Sequence, residues 1–470
     1  MPPEPATVGH RSIWADIRAG IVGEPRDYTA GSIGRAILVL AVPMVLEMSM
    51  QSVFAVVDVF FVGKLGSDAV AVVGIADSLL ALVFSVAIGL SMGTAAMVAR
   101  RIGEGDEKAA AHASMQSIWL GLAVSVPIAI VGVVYASDLM RLLGASPELA
   151  VYGRGFTAII LGTNATVLLL FLINASFRGA GDPAIAMRAL WLANLINIAL
   201  DPILIFGWGP IPAMGLEGAA VATAVGRGLG VLYQIWRLTN GRGRIHIDWS
   251  RARVSLSVMG RLARVSGIGI LQYLVSTASF LAMMRILAEF GDRALAAYTI
   301  AVRLIIFILL PAWGLGNAAA TLVGQNLGAG KPDRAERSVW LTAFANAGFL
   351  LAVAVVFVLV PEWLAGLFSP EPPVLEMAAA CLRIFSYSYV FWGFGMITVM
   401  AFNGAGDTTT PTWIHFLVYW VAQIPLAYWL ALVLDHGPEG VFAAIAICQG
   451  LLAVVGVAVF RRGTWKRRQI

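Results

Sequence analysis

Residues 190–210 read LWLANLINIALDPILIFGWGP, and this stretch shows how the chain folds and where its chemistry lies. It is a long apolar run, and ~20 such residues in a helix are enough to cross a bilayer. Asn194, Asn197 and Asp201 interrupt the run at spacings of three and four residues, which places them on one face of a helix. A carboxylate costs at least ~2.5 kcal/mol at a bilayer centre, so such acids usually face a protein interior or a water-filled cavity and often bind ions or protons. A second interpretation is that Asp201 caps a helix that ends at Pro202.

The composition indicates that this run is one of many. The chain has 470 residues, of which 59% are hydrophobic and 13% are charged, and its mean hydropathy is +0.83. A soluble domain of this size cannot bury so much apolar surface, so we predict an all-α polytopic membrane protein. Twelve segments have the length and composition of transmembrane helices. They lie near residues 36–62, 70–98, 114–135, 153–176, 185–207, 216–237, 260–287, 295–323, 338–360, 379–402, 412–434 and 440–460.

The arginine and lysine residues predict the orientation. The terminal segments and the loops on the same side hold 24 of the 32 basic residues, and the loops on the opposite side hold five. Because basic loops remain in the cytoplasm, both termini are predicted to be cytoplasmic, in the inner (plasma) membrane of a bacterium. The formal charge of +5 is explained by these loops and requires no nucleic-acid partner.

The two halves of the chain repeat each other. GLSMGTAAMVARRIGEG at 89–105 matches GLGNAAATLVGQNLGAG at 314–330, and FRGAGD at 177–182 matches FNGAGD at 402–407. Both pairs are 225 positions apart, without a gap. A constant offset indicates a duplicated six-helix unit, whose copies are parallel repeats about an axis along the membrane normal.

The repeat predicts the domain organisation. Two pseudo-symmetric six-helix bundles with a cleft between them are the usual architecture of an alternating-access transporter. The predicted units are a cytoplasmic N-terminal segment (1–32), an N-terminal bundle (33–238), a cytoplasmic linker (239–258), a C-terminal bundle (259–462) and a basic cytoplasmic tail (463–470).

The polar residues of the first bundle are not repeated in the second. An offset of 225 pairs Asp58 with Met283, Asn174 with Val399, Asn197 with Ala422, Asp201 with Leu426, Glu47 with Gln272 and Thr223 with Cys448. Glycines and loop residues, by contrast, keep their type in both halves. A residue needed only to hold a bundle together would more often recur, so the asymmetry favours a functional ion site in the N-terminal bundle.

Two acids lie in the first predicted span. Glu47 and Asp58 are eleven residues apart, which on a helix is ~20° around the axis and ~16 Å along it. Asp58 lies near the outer end of its span, as Asp201 does in the fifth, so these two are expected to share one pocket. Glu47 is expected either to pair with a nearby cation or to line the cleft. Pro43 permits a kink in this helix, either static or moving.

Three further charges lie within apolar spans. Asp77 and Arg303 occupy nearly equivalent positions of the repeat, and we expect them to form a structural pair across the bundle interface. Arg227 is a membrane-embedded cation for which the sequence indicates no partner.

These features together resemble the multidrug and toxic compound extrusion (MATE) family over residues 33–462. Each motif alone is weak, but their order and spacing are specific. The motifs are Pro43 with Val57-Asp58 and Val62–Gly66, Gly89–Thr94, Arg178–Asp182, Asn197–Pro202, Gly215–Ala220, Gly324–Gly330 and Gly404–Thr408.

The resemblance implies a secondary antiporter that exports organic compounds against inward flow of H⁺ or Na⁺. In the DNA-damage-inducible (DinF-like) branch, which this chain looks most like, the cation site lies in the N-terminal bundle. The positions that match that site are Asp58, Asn174, Asn197, Asp201 and Thr223. Another bacterial branch carries acids in the seventh and tenth helices, where this chain has Gln272 and Trp392 nearby, so a cation site in the C-terminal bundle is not expected.

Our working hypothesis is a carboxylate switch without a cofactor. Protonation of Asp58 or Asp201 from outside would remove charge, re-form hydrogen bonds with Asn174 and Asn197, reshape the first helix and weaken substrate binding. Sodium at Asp58, Asn197 and Asp201 is the alternative. The expected substrates are small, lipophilic, cationic organic compounds, and the expected state is a monomer in the bilayer. The candidate substrate-cavity residues are Met44, Glu47, Met48, Gln51, Gln272, Met283 and Trp392.

Three other functions were considered. A flippase for a lipid-linked precursor would be favoured by a basic cavity, whereas the spans offer more acid than base. An intramembrane enzyme requires a catalytic constellation, such as paired aspartates, a Ser–His pair or a HExxH helix, and the sequence contains none. A passive channel does not need titratable groups in only one of two bundles.

Overall fold

The computed structural model describes residues 12–24, 26–241, 243–249, 253–368, 371–468 and 470, with the side chains of Val56 and Val59 outside the description. Within these ranges the chain is helical, and its only extended pairing is a single bridge between Trp208 and Ile211. Three basic residues used for the orientation, Arg11, Arg242 and Arg251, lie outside the described ranges.

Twelve long helices, here named α1 to α12, correspond to the twelve predicted spans. Ten are long and apolar enough to cross a membrane, and α10 is an eleventh span that bends by 60°. The remaining one, α6, is a helix of 24 residues. Each predicted span lies within its helix or extends beyond it by one residue, so the predicted fold class is confirmed. The helices are α1 (Ile33–Gly63), α2 (Ser67–Gly103), α3 (Glu107–Val134), α4 (Arg154–Ala180, with a break at Thr163), α5 (Pro183–Phe206), α6 (Leu216–Thr239), α7 (Leu256–Leu287), α8 (Asp292–Gly328), α9 (Pro332–Leu359), α10 (Pro372–Ser386 and Tyr389–Gly404), α11 (Thr409–Val433) and α12 (Gly437–Arg461).

Local sequence signals set the helix ends. Asp106 precedes α3, and its carboxylate accepts a hydrogen bond of 2.8 Å from the backbone N–H of Ala109. Gly181 ends α4 with φ +86°, a left-handed conformation that glycine adopts without strain. Pro183 then occupies the first turn of α5, where its missing N–H costs nothing.

Interior prolines do not end the helices that contain them here. Pro43 lies within α1, and Pro202 lies within α5, which continues to Phe206. The interpretation that Asp201 caps a helix ending at Pro202 is therefore wrong. Neighbouring helices allow a spanning helix to tolerate the hydrogen bond that a proline removes.

The two bundles meet along α1, α2, α7 and α8. Gly89 and Gly93 of α2 lie directly against Ile270 and Ser266 of α7, and Gly314 of α8 lies against the backbone of α1 at Val45. A Cβ atom at any of these glycines would collide with the opposite bundle. These contacts lie in the halves of the helices nearest the chain termini, so the bundles are closed against each other on that side.

The N-terminal region reinforces this closed side. A short helix, Ile13–Val22, packs against α1. It carries Asp16, which is 2% exposed and whose carboxylate lies 2.9 Å from Arg26 Nη1 and 3.5 Å from Arg35 Nε. The two ion pairs hold this helix to the start of α1.

Residues 26–32, which we call the strap, bridge the two bundles. The Tyr28 hydroxyl donates to the carbonyl of Gly181 at 3.3 Å, on the N-terminal bundle. Arg334 of α9, on the C-terminal bundle, donates to the carbonyls of Gly31 and Ala30 at 2.8 Å each and of Tyr28 at 3.3 Å. The strap therefore forms hydrogen bonds with both halves of the molecule.

Candidate functional site

The site is centred on the contact between α5 and α6. The Asn197 amide of α5 donates from Nδ2 to Thr223 Oγ1 of α6 at 3.0 Å, and both side chains are buried. Gly226 makes this close packing possible, because a Cβ there would lie 2.5 Å from the carbonyl oxygen of Ala193. The sequence placed Asn197 and Thr223 in the same site, and the structure brings them into contact.

Asp201 lies one turn after Asn197 and is fully buried, at 0% exposure. Within the described chain, neither carboxylate oxygen has a hydrogen-bond partner, and the same is true of Asn197 Oδ1 and Asn194 Nδ2. Leaving a buried polar group without a partner costs about 1–3 kcal/mol, and more if the group is charged. The arrangement is thus suited to acquiring a proton or a cation.

A second carboxylate lies beside this group. Helix α1 packs against α5, and Asp58 of α1 interacts electrostatically with Asp201. Asp58 is half-buried, whereas Asp201 is fully enclosed. Two like charges in an apolar environment repel each other strongly, so a proton or cation that binds there relieves both the repulsion and the cost of burial.

Arg227 of α6 provides the positive charge of this region. It interacts electrostatically with Asp58 and Asp77, and its guanidinium lies 5.7 Å from the centre of the Phe84 ring. The expected pairing of Asp77 with Arg303 is wrong, because Asp77, which is exposed as Arg303 is, interacts electrostatically with Arg227 of its own bundle. The sequence could not reveal this, since the two residues are 150 positions apart and belong to different helices.

Asn174 belongs to a different polar group. Its Nδ2 donates to Glu47 Oε1 at 3.0 Å, and its Oδ1 accepts from Gln234 Nε2 at 2.5 Å. Arg178 Nη1 lies 2.7 Å from the same Glu47 oxygen. The sequence grouped Asn174 with Asp58 and Asp201, but its hydrogen bonds join it to a buried ion pair nearer the termini.

Comparison with known proteins assigns the chain to a family. The family model of MatE matches residues 43–203 and 269–429, one match in each half of the chain and most of its length in total. The chain belongs to the MATE family. It is therefore a membrane transporter and not an enzyme.

Relatives of this MATE transporter match along almost the full chain. It is 26% identical to "Probable multidrug resistance protein NorM" of Thermotoga maritima over 449 residues, 93% of this chain and 94% of the relative. It is 28% identical to "FAD transporter" of Shewanella oneidensis over 427 residues, 90% and 93% of the two chains. Its fold matches "Outward-facing conformation of a multidrug resistance MATE family transporter of the MOP superfamily" with a TM-score of 0.87, 25% identity and coverage of 94% and 98%.

The residues predicted for the substrate cavity separate into three groups in this MATE transporter. Met44 and Glu47 are 0% and 1% exposed. Met44 packs in the contact between the bundles, and Glu47 pairs with Arg178, which is the first of the two roles expected for it. A place in the substrate cavity stays a prediction for both residues. Met48 and Gln51 are half-buried on α1.

The third group lies in the C-terminal bundle. Met283 and Trp392 line a cavity formed by that bundle. Gln272 is 3% exposed, and its amide oxygen has no partner among the described residues. The sequence placed these residues near the substrate path, and two of them do line a cavity.

Sequence reasoning named Asp77 and Arg227 in this MATE transporter without placing them in the site, and it did not single out Gln234. Asp77 and Arg227 join Asp58, and Gln234 completes the hydrogen bonds of Asn174. The available signal was the presence of ionisable and amide groups in apolar spans, because such groups are costly there and usually face the interior.

Proposed function

We propose that this protein is a proton-coupled antiporter that exports lipophilic, cationic organic compounds across the inner membrane of a bacterium. The observation that carries the proposal is Asp201, a fully buried carboxylate without a hydrogen-bond partner, beside a second carboxylate, Asp58. Multidrug resistance proteins among the relatives support the substrate class. The excess of basic residues on the side that holds both termini supports a cytoplasmic location for those ends.

The coupling step that we propose is a change of charge at the two carboxylates. A proton entering from outside binds Asp58 or Asp201 and neutralises it. A protonated Asp201 can donate to the free Oδ1 of Asn197, so the unsatisfied oxygens gain hydrogen bonds at the moment the charge is lost. Release of the proton to the cytoplasm restores the charge and with it the affinity for a cationic substrate.

Helix α1 connects this change to the bundle contact. Its outer half carries Asp58, and its inner half lies against Gly314 of α8 at Val45. Pro43 lies on the inner side of Val45 and removes the backbone hydrogen bond to Val39, which lets α1 bend there when its part from Val45 to Asp58 moves. A shift at Asp58 can therefore loosen the contact that closes the bundles on the termini side.

Sodium coupling at the same place is the second candidate. The unpartnered oxygens of Asp201 and the free Oδ1 of Asn197 provide three oxygen ligands on neighbouring turns of α5, and Asp58 offers a further carboxylate. Hard cations prefer oxygen ligands of this kind. Under this alternative the residues keep their roles, and coordination of the ion replaces protonation.

A flippase for a lipid-linked precursor is the less favoured alternative. A phosphate-bearing substrate requires a basic cavity. The group around Asp58 contains three acids, Asp58, Asp77 and Asp201, against one base, Arg227. This balance favours a cationic over an anionic substrate.

We also propose a monomer as the functional unit, because each chain provides both bundles.

The test is ethidium uptake into inside-out vesicles, driven in turn by a proton gradient and by a sodium gradient. We expect proton-driven uptake by the wild-type protein and background uptake by Asp58→Asn. Sodium-driven uptake that is lost in the same variant would replace the proton with sodium. Absence of uptake under both gradients would contradict the antiport proposal and favour the flippase.

A panel of dyes tests the substrate class in the same vesicles. Cationic, neutral and anionic dyes of similar size are compared at one gradient, and the cationic ones are expected to accumulate fastest. Equal rates for all three charge classes would refute the preference for cations.

A further inference from the structure

The C-terminal bundle contains a cavity at the place that corresponds to the acid site of the N-terminal bundle. Its volume is about 210 Å³, and residues of α7, α8, α10, α11 and α12 line it. Met283 and Val302 line it, and the offset of 225 pairs these residues with Asp58 and Asp77. The duplicated scaffold thus holds a carboxylate group in one bundle and an uncharged cavity in the other.

Two buried amides face this cavity. Gln423 of α11 and Gln449 of α12 line it and are 5% and 6% exposed. The amide oxygen of each has no hydrogen-bond partner among the described residues. The nitrogen of Gln423 is engaged, because it donates to Ser279 Oγ at 3.4 Å. The cavity therefore presents two carbonyl acceptors, and each favours a ligand that donates a hydrogen bond.

Aromatic rings, apolar side chains and the two serines Ser276 and Ser279 form the rest of the wall. Phe280 and Tyr298 stack with ring centres 5.6 Å apart and planes at 28°, and Phe385, Trp392 and Tyr419 complete the aromatic lining. The lining residues include no Asp, Glu, Lys or Arg. A flat aromatic group would be held by stacking and apolar contact, and no charge is present to compensate an ionic one.

Part of the helix that carries Gln423 has π-helical instead of α-helical turns. Residues Phe416–Gln423 of α11 form π-helical turns, and they include both Tyr419 and Gln423. A π-helical turn contains one residue more than an α-helical turn. Such turns are rare and are found frequently at functional sites, because the extra residue redirects side chains from the regular helical positions. Tyr419 and Gln423, which belong to these turns of α11, both line the cavity.

From these observations we propose that the C-terminal cavity is a binding site for an uncharged, planar aromatic ring system that carries an N–H donor. A drug-sized ligand usually occupies ~300–1,000 Å³, so this cavity holds one ring system of a larger transported compound. The ring stacks within the aromatic wall, and its N–H donates to the amide oxygen of Gln423 or Gln449. Export of the bound compound rests on the proposed antiport, but binding itself does not.

The test uses two neutral probes that differ only in the donor. 2-Quinolinone has one N–H, and 1-methyl-2-quinolinone has none. Saturable binding of each is measured by equilibrium dialysis against purified protein in lipid nanodiscs, with empty nanodiscs to subtract partition into lipid. We expect the wild-type protein to bind 2-quinolinone about tenfold or more tightly than the methylated probe, the loss expected when a buried acceptor is left unpaired.

Variants assign the preference to the cavity. Gln423→Met and Gln449→Met keep the side-chain length and remove the acceptor, and at least one is expected to bind the two probes equally. Cys448→Ala is the matched control, because Cys448 is adjacent to Gln449 and packs in a different part of the core. It is expected to keep the wild-type preference. Equal binding of both probes by the wild-type protein, or a preference that survives in both glutamine variants, would overturn the proposal.

One further variant separates this inference from the antiport proposal. Asp201→Asn is expected to lose gradient-driven ethidium uptake while keeping the preference for 2-quinolinone. Loss of that preference in Asp201→Asn would place the probe in the N-terminal site and refute the cavity as its binding site. Failure of ethidium transport in the wild-type protein, with the probe preference intact, would count against the antiport alone.

Discussion

The two bundles share a helical scaffold and differ in the side chains that their equivalent positions carry. In the N-terminal bundle, Asp58 and Asp77 lie with Arg227 beside a buried Asp201 whose oxygens are unpartnered. In the C-terminal bundle, the equivalents of Asp58 and Asp77 are Met283 and Val302, and they line an uncharged cavity. The two halves of the duplicated chain therefore share their helical arrangement, but these charged side chains occur in the N-terminal bundle alone.

The two bundles also differ in charge in the halves of their helices nearer the chain termini. Glu47 and Arg178 form a buried ion pair in the first bundle, and their equivalents in the second are Gln272 and Asn403. Both of these amides are buried, and each retains unpartnered polar atoms. The second bundle thus has two neutral side chains where the first has an ion pair, and no hydrogen bond between the two is present among the described residues.

The strongest test of the comparison is the exchange of one acid. Asp201→Asn is expected to reduce gradient-driven ethidium uptake to the background of vesicles without the protein, because an amide cannot exchange a proton or hold a cation by charge. The control is Leu426→Met, at the position that the offset of 225 pairs with Asp201, and it is expected to transport at close to the wild-type rate. A variant Asp201→Asn with full coupled uptake would show that the two bundles do not differ in function.

The buried ion pair is expected to give the largest change in stability. Glu47→Gln leaves Arg178 buried without its partner, and breaking a buried pair in this way costs about 3–5 kcal/mol. The double variant Glu47→Gln/Arg178→Asn has the two neutral residue types of the second bundle, leaves no buried charge unpaired and is expected to recover most of this loss. Unfolding of the purified proteins in detergent measures both, and a double variant as unstable as the single one would contradict the argument.

Arg227 provides a smaller, functional test. Arg227→Gln removes the cation that interacts with Asp58 and Asp77, so repulsion between these acids rises and ethidium uptake is expected to fall several-fold. Arg227→Lys keeps the charge and is expected to restore part of the rate. The control is Leu452→Met at the equivalent position of α12. Equal rates for the glutamine and lysine variants would show that charge is not what Arg227 contributes.

The smallest expected effect concerns Thr223. Thr223→Val removes the hydroxyl that accepts from Asn197 and is expected to destabilise the protein by about 1 kcal/mol, the usual net value of one hydrogen bond. Cys448→Val, at the equivalent position, removes no hydrogen bond of this kind and serves as the reference. A loss of stability that is the same in both variants would assign the effect to packing alone.

Much of the fold could be predicted because its signals are local or repeat along the chain. Apolar runs of sufficient length gave the twelve helices, and the constant offset between Gly89 and Gly314 gave two bundles of the same design. The face shared by Asn197 and Asp201 also followed from spacing, because residues four apart on a helix are neighbours.

The site could be predicted only where one helix determines it. Asn174 bonds to Glu47 and Gln234, and Asp77 interacts with Arg227; these neighbours come from different helices. Which of them meet depends on the rotation and depth of each helix in the bundle. A sequence pattern along one helix carries no information on either, so these groupings were missed.

The strap has a consequence for the energetics of transport. For the bundles to separate on the termini side, the strap must leave one of them: either Arg334 releases the carbonyls of Tyr28, Ala30 and Gly31, or Tyr28 releases Gly181. Each such bond contributes about 0.5–1.5 kcal/mol, so the segment biases the resting population toward the closed form by a few kcal/mol. A terminal segment outside both bundles thereby helps to set how much free energy the gradient and the substrate must provide in each cycle.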